Sequence, residues 1–496
     1  MTIPFKQIPA NIRVPLFYAE VDNSHANTAT ANQRALIIGQ ITAAGSATPN
    51  VPVISQGVSD AKVQGGQGSV LAQMTYTYRQ NDQFGEVWYL PLADDPAAAA
   101  ASGSIAVASA PTAAGVLSLY LGGRLVSVSL SASMTAPQAA SAIMTAVNAV
   151  NDLAVTASIN AGTPATVVLT AKNKGLLGND IDIRFNYLGN AGGQTLPTGF
   201  AATITPMSGG LVNPSLTAGL GNLEDQAFDF IVCPYTDTAS LAALQSFLGD
   251  TVGRWSWQTQ VYGHVFCAYR GTLASLTTFG TALNDQHKSV MGFYDSPTPC
   301  WKWAAAFAAA SAVSLRADPG LPLQTVVLAD VLAPPLQSRF GLTMRNTLLY
   351  DGISTFTVAT DGTVAIENAI TTYQLNSFGQ PDNSYLEVET MFLLMYVLRA
   401  LRSVVTSKYA RVKLAADGTR FAPGSAIVTP SIIKADIIAQ YQEMEYDGYV
   451  QQSDAFAAAL IVQQNANNPN RIDVLYPPVL IDQLRIFALL AQFRLS

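Results

Sequence analysis

The sequence predicts an α/β core on a mostly parallel sheet, with an inserted α+β domain, an α+β C-terminal domain and extended terminal arms. Three observations predict it. From Asp229 onward, apolar runs of strand length alternate with runs of helix length, the pattern of a parallel sheet covered on both faces. After the linker-like DDPAAAAASGS beginning at Asp94, a self-contained strand and helix pattern interrupts that series until about Pro206. Both termini are apolar, extended and flanked by prolines.

In the first arm, Pro4, Pro9 and Pro15 exclude helix, and Val14–Val21 is a mostly apolar extended stretch. Arg34–Ile41 (RALIIGQI) is a continuous apolar run, as expected of a strand buried on both faces. Gly65-Gly66-Gln67-Gly68 reads as a flexible loop, followed by a helix near Val70–Asn81 and a buried strand at Glu86–Leu92. Within the insertion, Gly115–Leu121 and Arg124–Leu130 alternate around Gly122-Gly123, a hairpin signal. Ala136–Val150 is helical with Thr135 as its N-cap, and Leu153–Ile159 pairs with Ala165–Ala171.

The main series then runs through strand Phe228–Cys233, a helix capped by Asp237, strand Gln260–Tyr269 and helix Leu273–Asn284. Strand Ser289–Tyr294, the Ala-rich helix Lys302–Val313 and strand Thr325–Val331 complete it, with the strands at Arg34 and Glu86 joining the same sheet. Ile353–Thr360 and Thr363–Ala369 form a hairpin across Asp361-Gly362. Ser384 and Glu387 have capping-box spacing ahead of a long helix that reaches about Lys413. Leu394, Leu398, Leu401 and Val405 make its apolar stripe. Thr429-Pro430 opens a second helix ended by Gly448, and Ala457–Gln464 and Arg471–Tyr476 follow as strands. The tail Arg485–Leu495 (RIFALLAQFRL) would place Phe487, Leu489, Ala491, Phe493 and Leu495 on one side of a strand. The implied division is 1–25 for the N-terminal arm, 26–98 with 207–375 for the core, 99–206 for the insertion, 376–478 for the C-terminal domain and 479–496 for the C-terminal arm.

Composition narrows the function. Hydrophobic residues make up 49% of the chain and charged residues 12%, against roughly a quarter charged in an ordinary soluble domain. Either a membrane or partner subunits would cover such a surface. A spanning helix needs about 20 consecutive apolar residues, whereas Met391–Leu398 and Trp303–Ala310 hold eight each, and the N-terminus lacks a signal peptide's apolar core. Partner subunits are therefore the expected cover, with no membrane insertion. The net charge of −7 and the absence of any basic run argue against direct nucleic-acid binding.

Catalytic chemistry finds little support. Cys233, Cys267 and Cys300 have neither metal-site nor disulfide-framework spacing and read as buried thiols. The histidines are His25, His264 and His287, and no G-x-S-x-G, H-E-x-x-H, C-x-x-C or Walker-type loop accompanies them. No catalytic, metal or cofactor site is expected. An α/β hydrolase, the rival reading, would need a histidine within reach of both an acid and a serine.

The ends carry more. The N-terminal arm holds Arg13, Val14, Leu16, Phe17, Tyr18 and Val21; the C-terminal arm holds Ile486, Phe487, Leu489, Leu490, Phe493 and Leu495. Segments of this kind bury a face by joining a sheet edge, so each is expected to add as a strand to a neighbouring subunit. Head-to-tail contacts that do not close into a ring build helical filaments.

Five segments, in order along the chain, resemble the contractile tail sheath family in its Mu-like myophage branch. They are IPANIRVPLFYAEVDNS (Ile8–Ser24), RALIIGQ (Arg34–Gln40), LEDQAFDFIVCPYTD (Leu223–Asp237), DGISTFTVATDGTVAIENAITTY (Asp351–Tyr373) and VLYPPVLIDQLRIFALLAQFRL (Val474–Leu495). The resemblance implies a non-catalytic, subtilisin-like core, an outermost insertion and a tube-proximal C-terminal domain. It also implies a structural subunit of the virion tail, assembled in the host cytoplasm as a helical homo-oligomer of hexameric rings. Its partners would be the tail tube, the baseplate and the tail terminator. Residues 10–22 and 485–495 would each complete a sheet in a neighbour's C-terminal domain while the sheath contracts, drives the tube through the cell envelope and ejects the genome. A headless contractile particle is the alternative setting. Arg399, Arg402, Lys408, Arg411 and Lys413, at the end of the long helix, are candidates to meet acidic tube residues, or else simply complement the helix dipole.

Overall fold

The computed structural model describes residues 33–494. Its centre is a six-stranded sheet in the spatial order Lys288–Phe293, His264–Arg270, Phe230–Val232, Ala35–Gln40, Val87–Leu92 and Val53–Ile54. All neighbours are parallel except the short Val53–Ile54 edge. Ala35–Gln40 and Lys288–Phe293 are buried throughout, as continuous apolar runs require when both sheet faces are covered. Helices Val70–Asn81 and Cys300–Ala317 pack on each other and on the sheet. The latter is rich in alanine, and Ala304–Ala310 are all buried; small side chains let its backbone lie close to the strands.

The insertion matches its sequence pattern closely. Gly115–Leu121 and Arg124–Leu130 pair antiparallel, and Ile183–Phe185 joins them. Helix Ala136–Ala149 starts at Thr135, whose hydroxyl accepts from the Gln138 amide while the Gln138 side chain accepts from the Thr135 amide. A second antiparallel sheet runs Ala201–Ser208, Ser102–Ser109, Thr166–Ala171, Val155–Ile159. The chain comes in along Ser102–Ser109 and leaves along Ala201–Ser208, and these two strands pair with each other.

Several expectations are corrected. Thr325–Val331 forms only an isolated bridge from Val327 to Ala365, because Thr325 and Asp330 take positive φ and break the extended run. The Gln260–Tyr269 strand begins at His264, since Gln260, Tyr262 and Gly263 also have positive φ. Val58–Gly65 is a helix absent from the sequence reading, and the glycines after it are no free loop. Gly68 is buried at φ 79°, and a Cβ there would lie 2.1 Å from the Leu153 carbonyl oxygen. Glycine is needed at that close approach.

In the C-terminal part, helices Val388–Tyr409, Pro430–Tyr446 and Ser453–Ala459 precede a hairpin of Ile461–Gln464 with Ile472–Leu475. Thr429 caps the second helix at the Ile432 amide, with Pro430 in its first turn. Ala457 therefore belongs to a helix, not to the expected strand. The long helix joins two cores: Val388, Phe392 and Met395 belong to the large one, Val397 to a smaller one with Ile433, Ile437, Tyr441 and Phe456. It starts at Val388 without a capping box; Ser384 instead donates to Asp382, 2.6 Å away. The expected apolar stripe also fails, because Leu398 and Val405 are 36% and 42% exposed. Burial on nearly all sides of the first turns, including Met391, Phe392 and Leu393, erases the one-sided period on which the stripe rested.

Candidate assembly surfaces

The chemistry of a parallel sheet usually lies outside its carboxyl ends where the strand order reverses. That crevice lies between Ala35–Gln40 and Phe230–Val232, and beside Gln40 it is crossed by the protein's own hydrogen-bonded side chains. Gln40 Nε2 donates to Asp94 Oδ1 at 2.7 Å and to the Lys174 carbonyl at 2.7 Å. Asn173 Nδ2 and the Lys174 amide also donate to Asp94, at 3.1 and 3.0 Å. His264 is buried and its Nε2 lies 2.8 Å from Ser289 Oγ, but Nδ1 has no partner among the described residues. Burial pushes its pKa down to about 3. His287 pairs separately with Asp250 at 3.0 Å, so among the described residues Ser, His and acid do not align as a triad. Burial raises the Cys233 and Cys300 thiols and leaves them unreactive. Among the described residues no cluster of His, Cys, Asp or Glu could hold a metal, and no helix is long and apolar enough to cross a membrane.

The C-terminal arm divides sharply at residue 485. Before it, the chain is stitched to its own subunit. Tyr441 Oη donates to the Val479 carbonyl and accepts from the Val479 amide at 2.9 Å. Leu480 bridges Val450 antiparallel, and the Ile481 amide donates to the Tyr449 carbonyl at 3.1 Å. Gln451 Nε2 reaches Asp482 at 2.9 Å, and Gln324 Nε2 reaches the Leu484 carbonyl at 3.3 Å. Arg485 then turns inward, with Nη2 at 2.7 Å from Glu389 and 3.0 Å from Glu387. Beyond it, Ile486, Phe487, Leu489, Leu490 and Phe493 are 76% to 85% exposed. Residues 486–494 form no strand here; Leu495 and the N-terminal arm residues Arg13, Val14, Leu16, Phe17, Tyr18 and Val21 lie outside the described residues.

The carboxylates under Arg485 sit at the start of the long helix. Glu389 is fully buried and accepts from the Leu323 amide at 2.6 Å. Burial pushes Glu387 up to about 7, against an ordinary 4.5, and raises Glu389 as well, while Arg485 opposes both shifts. The folded protein thus binds a proton at Glu387 that the unfolded chain has already released. Stability is expected to rise by about 2 kcal/mol as pH falls from 8 to 5.5, at 1.36 kcal/mol per pKa unit. Urea unfolding at pH 8 and pH 5.5 should show this gain, and Glu387→Gln should remove most of it.

The cations proposed from sequence are dispersed. Arg399 points into the protein and pairs with buried Asp229 at 2.5 Å. Arg402 is exposed, with Nη1 3.5 Å from the Gln260 carbonyl. Lys408 pairs with Asp436 at 3.2 Å. The helix ends at Tyr409, so Arg411 and Lys413 are not on it; both are exposed, Lys413 in a short strand beside Ile427–Val428. The hairpin Ile461–Gln464 with Ile472–Leu475 has two strands only and leaves Ile461 and Leu475 exposed. A two-stranded hairpin is marginal by itself, and among the described residues both its outer edges are unpaired.

The pairing of Arg485 with Glu387 and Glu389 was not legible in advance. Its sequence signal is no more than an arginine at the head of a mostly apolar run.

Comparison with known proteins gives consistent matches. Residues 209–372 match the family described as phage tail sheath protein central domain, and residues 380–494 the phage tail sheath C-terminal domain. The chain is 40% identical over 495 residues to the Mu-like prophage FluMu tail sheath protein of Haemophilus influenzae, covering 99% of this chain and 100% of that one. Among solved structures, the sheath tail protein of Desulfitobacterium hafniense aligns with 95% of this chain and 99% of its own at 13% identity and TM-score 0.47. A chain of the anti-feeding prophage baseplate aligns over 98% and 100% at 11% identity and TM-score 0.48.

Proposed function

This chain belongs to the phage tail sheath protein family, whose members are structural and not enzymes, and we propose that it polymerises helically around a tail tube and contracts to drive that tube through the host envelope. The observation that carries the reading is the C-terminal arm, an extended run of exposed apolar side chains beginning immediately after an anchored root. Such a run gains most by adding as a strand to an open sheet edge. The hairpin of Ile461–Gln464 and Ile472–Leu475 offers two such edges on every copy. Residues 10–22 and 485–495 are the segments that fill them in neighbouring subunits, with Arg485 itself held by its own subunit.

In this reading residues 26–98 with 207–375 form the core, 99–206 lie outermost and 376–478 face the tube. The subunits stack as hexameric rings between a baseplate and a terminator in the virion tail. Contacts made only in the contracted state supply the work, so no nucleotide is required. Negative-stain electron microscopy of the protein alone, and with its tube and baseplate, tests the proposal. Hollow helical tubes support it, and uniform small particles under both conditions overturn it.

Tube contact falls to Arg402, Arg411 and Lys413, since Arg399 and Lys408 are engaged within the subunit. Reversing charge at Arg402 and Arg411 is expected to lower tube-dependent assembly by about tenfold, the size of a loss of roughly 1.4 kcal/mol per contact site. Unchanged assembly on the tube would remove these residues from the interface.

A further inference from the structure

We propose that Arg485 is the positioning residue of the C-terminal arm: clasped between Glu387 and Glu389 of its own subunit, it fixes where the exchanged strand begins. The inference rests on the arm-exchange reading for its purpose, but the clasp itself is tested on the single subunit.

Three features support it. The boundary lies in the bonding: Val479 to Ile481, then Asp482, Leu484 (through its carbonyl) and Arg485, are bound to the subunit body, whereas Ile486 and the large side chains after it are 76% to 85% exposed. The clasp is also the point of highest commitment along this strap. Glu389 has no solvent exposure and Glu387 little, so the two carboxylates need a counter-charge from a neighbouring element. Arg485 is the only cation that pairs with either one among the described residues. Last, the strap joins distant parts of the subunit, running from Tyr441 in the small core, past the Tyr449 carbonyl, to Gln324 and the start of the long helix.

Slack is the quantity the clasp controls. With Arg485 held, the free strand is Ile486 onward. If it were released, the strap back to Val479 could peel as well, adding about seven residues, or roughly 23 Å of extended chain. A tether lengthened that far would no longer set the spacing between subunits.

Trypsin reads the clasp directly, because it must bind the arginine side chain it cleaves beside. Arg494 lies on the exposed segment, whereas the Arg485 guanidinium is withdrawn. In the full-length, unassembled protein, mass spectrometry should show cleavage after Arg494 at least about 100-fold faster than after Arg485, since cutting at a withdrawn site follows its open population. In Glu387→Gln/Glu389→Gln that ratio should fall below about tenfold. The single E387Q variant keeps the Leu323 bond to Glu389 and should show a smaller change in the same direction; it serves if the double variant does not fold. Equal cleavage at the two arginines in the unaltered protein overturns the clasp, as does full protection of Arg485 in folded variants. A protected Arg485 in a protein that never forms tubes would instead leave the clasp standing and defeat the arm-exchange reading.

Discussion

Removal of residues 486–496 is expected to abolish tube formation while leaving a folded subunit with an unchanged thermal midpoint. From Ile486 to Phe493 the large side chains face solvent and form no strand within the subunit, so their loss removes nothing the fold depends on. The strap from Val479 to Arg485 stays, and with it the bonds to Tyr441, Tyr449 and Glu389. Assembly is a different matter, because under the proposed arm exchange every subunit would lose the main-chain pairing that adds its strand to the next. Electron microscopy should show no tubes even at high concentration, and circular dichroism should show an unaltered melt. Tubes of the truncated protein would refute arm exchange. A longer truncation, from Val479, should also lower the melting temperature, since Tyr441 would lose both contacts to that residue.

Replacing Arg399 with Met is expected to cost about 3–5 kcal/mol of stability at pH 7, the usual result of stripping one partner from a buried ion pair. Asp229 has 1% side-chain exposure and lies at the head of a central strand. Burial raises its carboxyl above the ordinary range, and Arg399 opposes that rise more than any other group. Without Arg399 the acid would be driven further toward its neutral form. The folded state would then take up a proton that the unfolded chain lacks, so the loss should shrink as pH falls from 7 to 5. Urea unfolding at both pH values measures this. Pairing the change with Asp229→Asn should recover much of the stability. A loss under about 1 kcal/mol at pH 7 would mean the pair is weakly coupled to folding.

Much of the fold was legible because its signals are local. Arg34–Ile41 and Glu86–Leu92 read as doubly buried strands from their apolar runs, and both are central in the sheet. Gly122-Gly123 and Thr135 marked a hairpin and a helix start within a residue. The misreadings have two causes. Where backbone geometry departs from the pattern, as at Thr325 and Gln260 with positive φ, composition carries no warning. Where a helix is buried on most sides, as at Met391–Met395, apolar spacing no longer identifies one face. The arm's apolar character was plain in the sequence, but its anchor was not. Arg485 meets Glu387 and Glu389 across about a hundred residues of chain, and no periodicity encodes a contact of that kind.

The helix Val388–Tyr409 has a mechanical meaning. Its 22 residues extend about 33 Å at 1.5 Å per residue. One end is embedded in the packing of the parallel sheet and the other in the small core, with the Arg399–Asp229 pair pinning it midway. Such an element works as an axle: torque applied to the small lobe reaches the sheet without play. If the arms tether neighbouring subunits as proposed, compliance is left to them, and each subunit would turn as one stiff cam while they absorb the stroke.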